Sequence, residues 1–375
     1  MKQFRIVPTI YQMEDCKEFV REFQVGEGDL ILTREVFYHK YFAAIADGAT
    51  YLYMKNYGVG EPTDVLVEAI LHDIKELSFK RVIAIGGGSI IDVSKLLVQE
   101  TASPVLDLFD KKIPTKKVKE LVIVPTTCGT GSEVTSVSVI ELVSRNTKIG
   151  LQTDEEFADA AVIIPELLED LPFDVFATSS VDALIHASES FLSPRANEFT
   201  EMFSKEAIRI ILAGYRRIVK EGKEVTNHLM KDFVLASTYA GIAFGNAGCA
   251  AVHAMSMPFG GAYHVAHGEA NYTLFTAVFK AYQKLKPVGK IQVINKLFSE
   301  CLGCSEDEVY ECMEKLLSQI LSNKSPSEYG VTKEAIMSMT TTVIEKQGRL
   351  MANNYTELDA ESVLEIYESV FLVNS

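Results

Sequence analysis

The sequence predicts an α/β dinucleotide-binding domain with a Rossmann-like parallel sheet, followed by an all-helical domain. Three observations predict it. Apolar strands alternate with helices through the first half, and two of those strands run straight into glycine-rich turns. From about Ser179 onward the apolar residues recur only at helical spacing. Between Phe233 and Gly268 no Asp, Glu, Lys or Arg occurs, as expected of helices buried at the centre of a large soluble domain.

A chain of 375 residues exceeds one ordinary core, so two domains are expected, 1–178 and 179–375. A net charge of −15 argues against nucleic acid and anionic membrane surfaces as partners. The uncharged run is long enough to raise the question of a membrane span. Asn246, Pro258, several glycines and three histidines make it a poor lipid-facing helix. The first residues carry no apolar stretch of signal-peptide type, so a cytoplasmic location is expected. Cys301-x-x-Cys304 with Cys312 lacks a fourth ligand at zinc-finger spacing, so reduced thiols are expected.

In chain order, Leu30–Thr33 is the first strand expected, followed by a helical stretch near Val36–Ile45 and a strand near Tyr51–Tyr57. Val67, Ile70, Leu71, Ile74 and Leu77 then form one helix face. Arg81–Ile85 is a buried strand that enters Gly86-Gly87-Gly88-Ser89, and Ile90–Leu97 is a helix. Three glycines between strand and helix let the backbone approach a ligand, and the helix start offers N–H groups to a phosphate. The spacing is not G-x-G-x-x-G, and a tight structural turn would use the same glycines.

The strand Leu121–Val124 leads into Pro125-Thr-Thr-Cys-Gly-Thr-Gly-Ser-Glu133. Small residues and hydroxyls at a strand's carboxyl end suit a nucleotide; the bland reading is a helix cap with Glu133 closing a capping box. Lys148, further on, could meet a phosphate or solvent.

In the helical half, Asp182 and His186 stand four apart and share one helix face. Pro258, Gly260 and Gly261 are expected to break the helix between His253 and His267, turning the chain back on itself. One carboxylate and three imidazoles then form an oxygen–nitrogen set suited to Fe²⁺ or Zn²⁺. His228 sits among charged residues and reads as solvated, and His264 lies close to His267. Val309–Ile320 and Ser362–Phe371 read as packing helices, and Asn353-Asn354-Tyr355 as a loop.

GGGSIIDVSK (Gly86–Lys95), PTTCGTGSEVT (Pro125–Thr135), DALIHASES (Asp182–Ser190) and VHAMSMPFGGAYHVAHGEAN (Val252–Asn271) resemble the signatures of the iron-containing, group III alcohol dehydrogenases. The resemblance covers nearly the whole chain. It implies the dehydroquinate synthase-like architecture of that family, with a divalent metal in the cleft between the two domains. The metal ligands it implies are Asp182, His186, His253 and His267, with His253 and His267 also expected to be catalytic. The cofactor contacts it implies are Gly86, Gly87, Gly88, Ser89, Asp92, Thr126, Thr127, Thr135 and Lys148. The implied reaction is reversible oxidation of 4-hydroxybutanoate to succinate semialdehyde, with hydride passing to NAD⁺. Fe²⁺ is favoured over Zn²⁺, because four protein ligands leave tetrahedral zinc no open position. A homodimer is the family expectation.

Two departures qualify this. Many members carry a histidine four residues after His253, where this chain has Met257. The position after the first strand, often an Asp that excludes a 2′-phosphate, is Arg34, which brings NADP into consideration beside NAD. His264, Tyr263 and Asn353 are candidates for meeting the substrate carboxylate. The alternatives are another primary alcohol or diol as substrate, or a lyase of the dehydroquinate synthase kind.

Overall fold

The computed structural model describes residues 3–58, 60–145, 147–321, 324 and 326–372. The chain forms two units, residues 6–171 and residues 172–372 with 3–5. The expected division at 178/179 falls inside a helix, Phe173–Leu192, which begins directly after Pro172.

The first unit holds a six-stranded, all-parallel sheet. Its strands are β1 (Thr9–Gln12), β2 (Asp29–Thr33), β3 (Thr50–Tyr53), β4 (Arg81–Gly86), β5 (Glu120–Pro125) and β8 (Ala160–Ile163), in the order β1-β8-β5-β4-β2-β3. Buried on both faces, β4 and β5 read as continuous apolar runs, Val82–Ile85 and Leu121–Val124, as central parallel strands do. Helices α1 (Cys16–Glu22), α2 (Asp64–Ile74) and α3 (Gly88–Leu97) belong to this unit. Leu66, Val67, Ile70 and Ile74 of α2 join Ile90, Ile91, Val93 and Leu96 of α3 in one core with the strands. Leu77 does not belong to that face. It lies beyond the end of α2 and is 43% exposed.

Leu30–Thr33 is the second strand in chain order, because β1 precedes it. No helix follows the Thr126–Ser132 loop either. Ser132–Val134 is a single 3₁₀ turn, and the chain continues into an antiparallel hairpin, β6 (Val137–Leu142) with β7 (Thr147–Gln152). Glu133 is therefore buried in a turn rather than closing a helix cap.

The second unit is helical. Its central helix α4 (Phe173–Leu192) is buried around nearly its whole circumference. Buried hydroxyls on it are satisfied locally: Ser180 pairs with Tyr215 at 2.8 Å and Ser190 with Ser204 at 2.9 Å. Around it lie α5 (Glu198–Glu221), α6 (Thr226–Ala247), α7 (Ala251–Tyr263) and α8 (His267–Leu285). Val309–Ile320 and Ala360–Phe371 are helices as expected.

The uncharged run spans α6 from Phe233 onward, a turn, α7 and the first two residues of α8. Gly248 turns the chain with φ +81°, and the two helices meet at 103°. No single described helix is long and apolar enough to cross a membrane, although this bent pair passes by length and composition. The break before His267 falls later than expected. The helix α7 runs through Pro258, Gly260 and Gly261 and ends at His264, which adopts a left-handed conformation with φ +52°. Gly260 suits this ending, since a Cβ there would lie 3.2 Å from the Val265 carbonyl oxygen.

Candidate functional site

Two neighbouring turns of α4 bring Asp182 and His186 to one buried face, with Asp182 Oδ2 3.8 Å from His186 Nδ1. From α7, His253 stacks against His186 with ring centroids 4.5 Å apart and presents Nε2 3.6 Å from Asp182 Oδ1. His267, the first residue of α8, places Nε2 3.8 Å from the same carboxylate oxygen. The four residues named from the sequence thus converge around one carboxylate.

Close packing makes the fourth position possible. A Cβ on Gly268 would lie 2.3 Å from the Thr178 carbonyl oxygen, so only glycine lets the start of α8 rest directly on α4.

The donor atoms fit a cation. His253 Nε2 is buried and makes no hydrogen bond, although a carboxylate oxygen lies nearby. Burial opposes charge on Asp182, yet His186, His267 and His253 overcome it and hold its carboxyl well below the usual range. Burial likewise opposes charge on His253, but Asp182 and Glu189 outweigh it and push the ring up to about 9. Positive charge is therefore favoured where the three rings face Asp182, and donors of this kind accept a divalent ion in place of protons.

Sequence reasoning missed three residues here. Glu189 lies on α4 one turn beyond His186. Its Oε2 accepts from His253 Nδ1 at 2.6 Å and from the Ala250 backbone N–H at 3.0 Å, and its Oε1 accepts from the Val252 N–H at 2.6 Å. Asn271 donates through Nδ2 to Asp182 Oδ1 at 2.8 Å. Cys249 lies close to His186 and His253. Glu189 follows Asp182 by two helical turns, so a helix puts both carboxylates on one face, and that spacing is the sequence signal that could have found it.

Of the residues considered for the substrate carboxylate, Asn353 is buried and donates to the Cys249 carbonyl at 3.0 Å. His264 is exposed and Tyr263 packs on Phe259.

In the first unit, the chain moves outward from β2 to β3 but in the opposite direction from β4 to β5. The carboxyl ends of β2 and β4 flank the point where the winding reverses, where doubly wound sheets leave a ligand crevice. Arg34 follows β2, is exposed, and lies 5.8 Å from the Phe37 ring centroid. The Gly86–Ser89 turn follows β4. A Cβ on Gly87 would lie 3.1 Å from the Thr127 side chain, and one on Gly88 2.8 Å from that of Thr130. The two loops named from the sequence therefore touch. Thr126 joins them as well, its N–H donating to the Gly86 carbonyl at 3.0 Å.

Asp92 and Thr135 lie behind these loops. Asp92 accepts from Ser132 Oγ at 2.7 Å and from the Val139 N–H at 3.0 Å. Lys95, which sequence reasoning passed over, is fully buried and donates to Ser132 Oγ at 2.8 Å and the Val137 carbonyl at 2.6 Å. Thr135 Oγ1 lies 3.4 Å from the same ammonium. Lys148, on β7, is ion-paired with Glu61.

Comparison with known proteins gives the family. Residues 6–165 match the sequence profile of iron-containing alcohol dehydrogenase, and residues 176–371 match that of the Fe-containing alcohol dehydrogenase family, C-terminal. The chain belongs to the iron-containing alcohol dehydrogenase family and is an oxidoreductase. It is 47% identical over 371 residues to the 4-hydroxybutyrate dehydrogenase of Clostridium kluyveri, covering 99% of this chain and 100% of that protein. It is 33% identical to the long-chain-alcohol dehydrogenase 1 of Geobacillus thermodenitrificans, covering 85% and 84% of the two chains. Its fold matches the structure of a sulfoacetaldehyde reductase from Bifidobacterium kashiwanohense in complex with NAD⁺, with a TM-score of 0.86, 21% identity and full coverage of both chains.

Proposed function

We propose that this enzyme catalyses reversible, NAD-linked oxidation of 4-hydroxybutanoate to succinate semialdehyde at a metal centre. The observation that carries the reading is the convergence of His186, His253 and His267 on the Asp182 carboxylate, with the buried Nε2 of His253 left without a hydrogen bond. The substrate is inferred from the full-length likeness to the Clostridium kluyveri enzyme.

Asp182, His186, His253 and His267 would hold the ion, Fe²⁺ in preference to Zn²⁺. A divalent ion there supplies Lewis acidity toward the substrate's oxygen in both directions of the reaction. Glu189 fixes the His253 tautomer with the proton on Nδ1, leaving Nε2 to the ion. Asn271 holds Asp182 in the orientation that faces the rings. The Gly86–Ser89 turn with Thr126 and Thr127 would receive the nucleotide, NAD being the hydride acceptor. Asp92, Thr135 and Lys95 support that role by fastening α3 to the second loop. Lys148 would approach a phosphate by exchanging its partner Glu61.

Met257, one turn beyond His253 on α7, offers no imidazole for a proton relay, and water or a ribose hydroxyl of a bound nucleotide would take that part. The enzyme is proposed to be cytoplasmic. It is also proposed to be a homodimer, for which the open edge of β1, with exposed Ile6, Val7 and Tyr11, offers main-chain groups to a second copy.

The test is NADH formation by Fe²⁺-loaded enzyme from a panel containing 4-hydroxybutanoate, a diol and simple primary alcohols. The highest kcat/KM belongs to 4-hydroxybutanoate. A preference of about tenfold or more for an uncharged alcohol, a difference of about 1.4 kcal/mol in transition-state binding, would replace the proposed substrate.

A further inference from the structure

The uncharged segment brings one more donor to the centre. Cys249 lies in the link between α6 and α7, and a ring nitrogen of His186, a ring nitrogen of His253 and the Cys249 sulfur all lie within 4.8 Å of one another. Asp182, His253 and His267 meet the same limit. The two sets share His253, whose Nδ1 is engaged by Glu189, which leaves Nε2 as the nitrogen open to an ion. One nitrogen lone pair binds one ion at a time.

We propose that His186, Cys249 and His253 form an alternative site for a thiophilic divalent ion of the zinc class, which competes with the iron held through Asp182 and His267. The proposal rests on the metal reading above but concerns a different donor.

Chemistry separates the two sets. The Asp182 set is oxygen and nitrogen; the Cys249 set is two imidazoles and a thiol, which selects softer ions. A thiolate with two imidazoles and one open position is a coordination that zinc accepts. Metal–ligand bonds of about 2.0–2.3 Å bring donors to about 3.5 Å from one another, so closing the set needs movement of about 1 Å at most. Side-chain torsion suffices, because the backbone is held. Asn353 Nδ2 donates to the Cys249 carbonyl at 3.0 Å, and the next N–H, of Ala250, donates to Glu189 at 3.0 Å. On binding, the Cys249 S–H bond breaks, a sulfur–metal bond forms and the proton leaves to solvent, with no change of oxidation state.

The experiment is an anaerobic titration of the whole apoprotein with Co²⁺, followed by competition with Zn²⁺. Wild type shows a thiolate-to-cobalt charge-transfer band in the near ultraviolet. Cys249→Ala and Cys249→Ser bind cobalt without that band, and their zinc affinity falls by about tenfold or more. Cobalt bound to wild type without the thiolate band overturns the proposal and leaves the oxygen–nitrogen centre standing, as does equal zinc affinity in all three proteins. Failure of wild type to bind any ion overturns both readings. Circular dichroism checks that the variants fold, and the wild-type spectrum decides the matter if they do not.

Discussion

The carboxylate of Glu189 lies 2.6 Å from His253 Nδ1 and takes two backbone N–H groups from the start of α7 at the same time. A single residue thus sets both the tautomer of a proposed ligand and the position of the helix that carries it. Replacing Glu189 with Gln leaves one of these donors facing an amide NH₂. Metal affinity of Glu189→Gln should fall 10–100-fold, on the order of other outer-shell replacements, with a stability loss of about 1–3 kcal/mol. Competition with a chromogenic chelator measures the first and urea unfolding the second. Unchanged affinity would reduce Glu189 to a helix anchor.

The glycine after His267 should behave as part of the site although it has no side chain. In Gly268→Ala the new methyl must displace the start of α8 from α4, because its nearest neighbour is a backbone carbonyl oxygen. Metal affinity is expected to drop by about tenfold or more, since misplacing one ligand weakens the whole set. Wild-type affinity in Gly268→Ala would mean that α8 moves without carrying His267 away.

Glu156 gives a pH dependence away from the metal. It is fully buried, and neither carboxylate oxygen has a hydrogen-bond partner. Burial pushes its carboxyl from the ordinary 4.5 up to about 8, opposed by Lys95 and assisted by Asp92. Between those values the folded chain holds a proton that the unfolded chain has released, so stability falls as pH rises through that window. Glu156→Gln is neutral throughout and should lose this decline. Urea midpoints at about pH 5 and about pH 8.5 measure it; a decline in the variant as steep as in wild type would place its origin elsewhere.

Arg34 stands exposed at the carboxyl end of β2, beside the strand that carries the glycine turn. If it meets the adenosine ribose, Arg34→Asp lowers NADP use relative to NAD, because a carboxylate repels a 2′-phosphate and bonds a free hydroxyl. Steady-state kcat/KM with each cofactor decides it. A ratio that stays put removes Arg34 from the cofactor site.

The parts of the fold visible in the sequence were those with local periodicity. β4 and β5 are continuous apolar runs, and Asp182 and His186 stand one helical turn apart. The missed strands β1 and β8 are only four residues long, and β1 finds its register on Ala160–Ile163, a pairing across most of the first unit. The hairpin β6–β7 went unseen because its residues are mostly half-buried and lack a clean apolar alternation. Pro258 signals a break in sequence terms, yet tertiary packing carries α7 past it to His264. Lys95 looked like an ordinary charge, because sequence spacing does not show that its partners arrive from distant segments.

Four side chains from three helices are proposed to hold one catalytic ion. Metal content and 4-hydroxybutanoate-dependent NADH formation, measured on the same anaerobic samples of wild type and Asp182→Asn, test this most directly. Wild type is expected to hold about one divalent ion per chain, with activity that a chelator removes and Fe²⁺ restores, and Asp182→Asn to lose both ion and turnover. Full activity in chelated, metal-free wild type, or in Asp182→Asn, would contradict this.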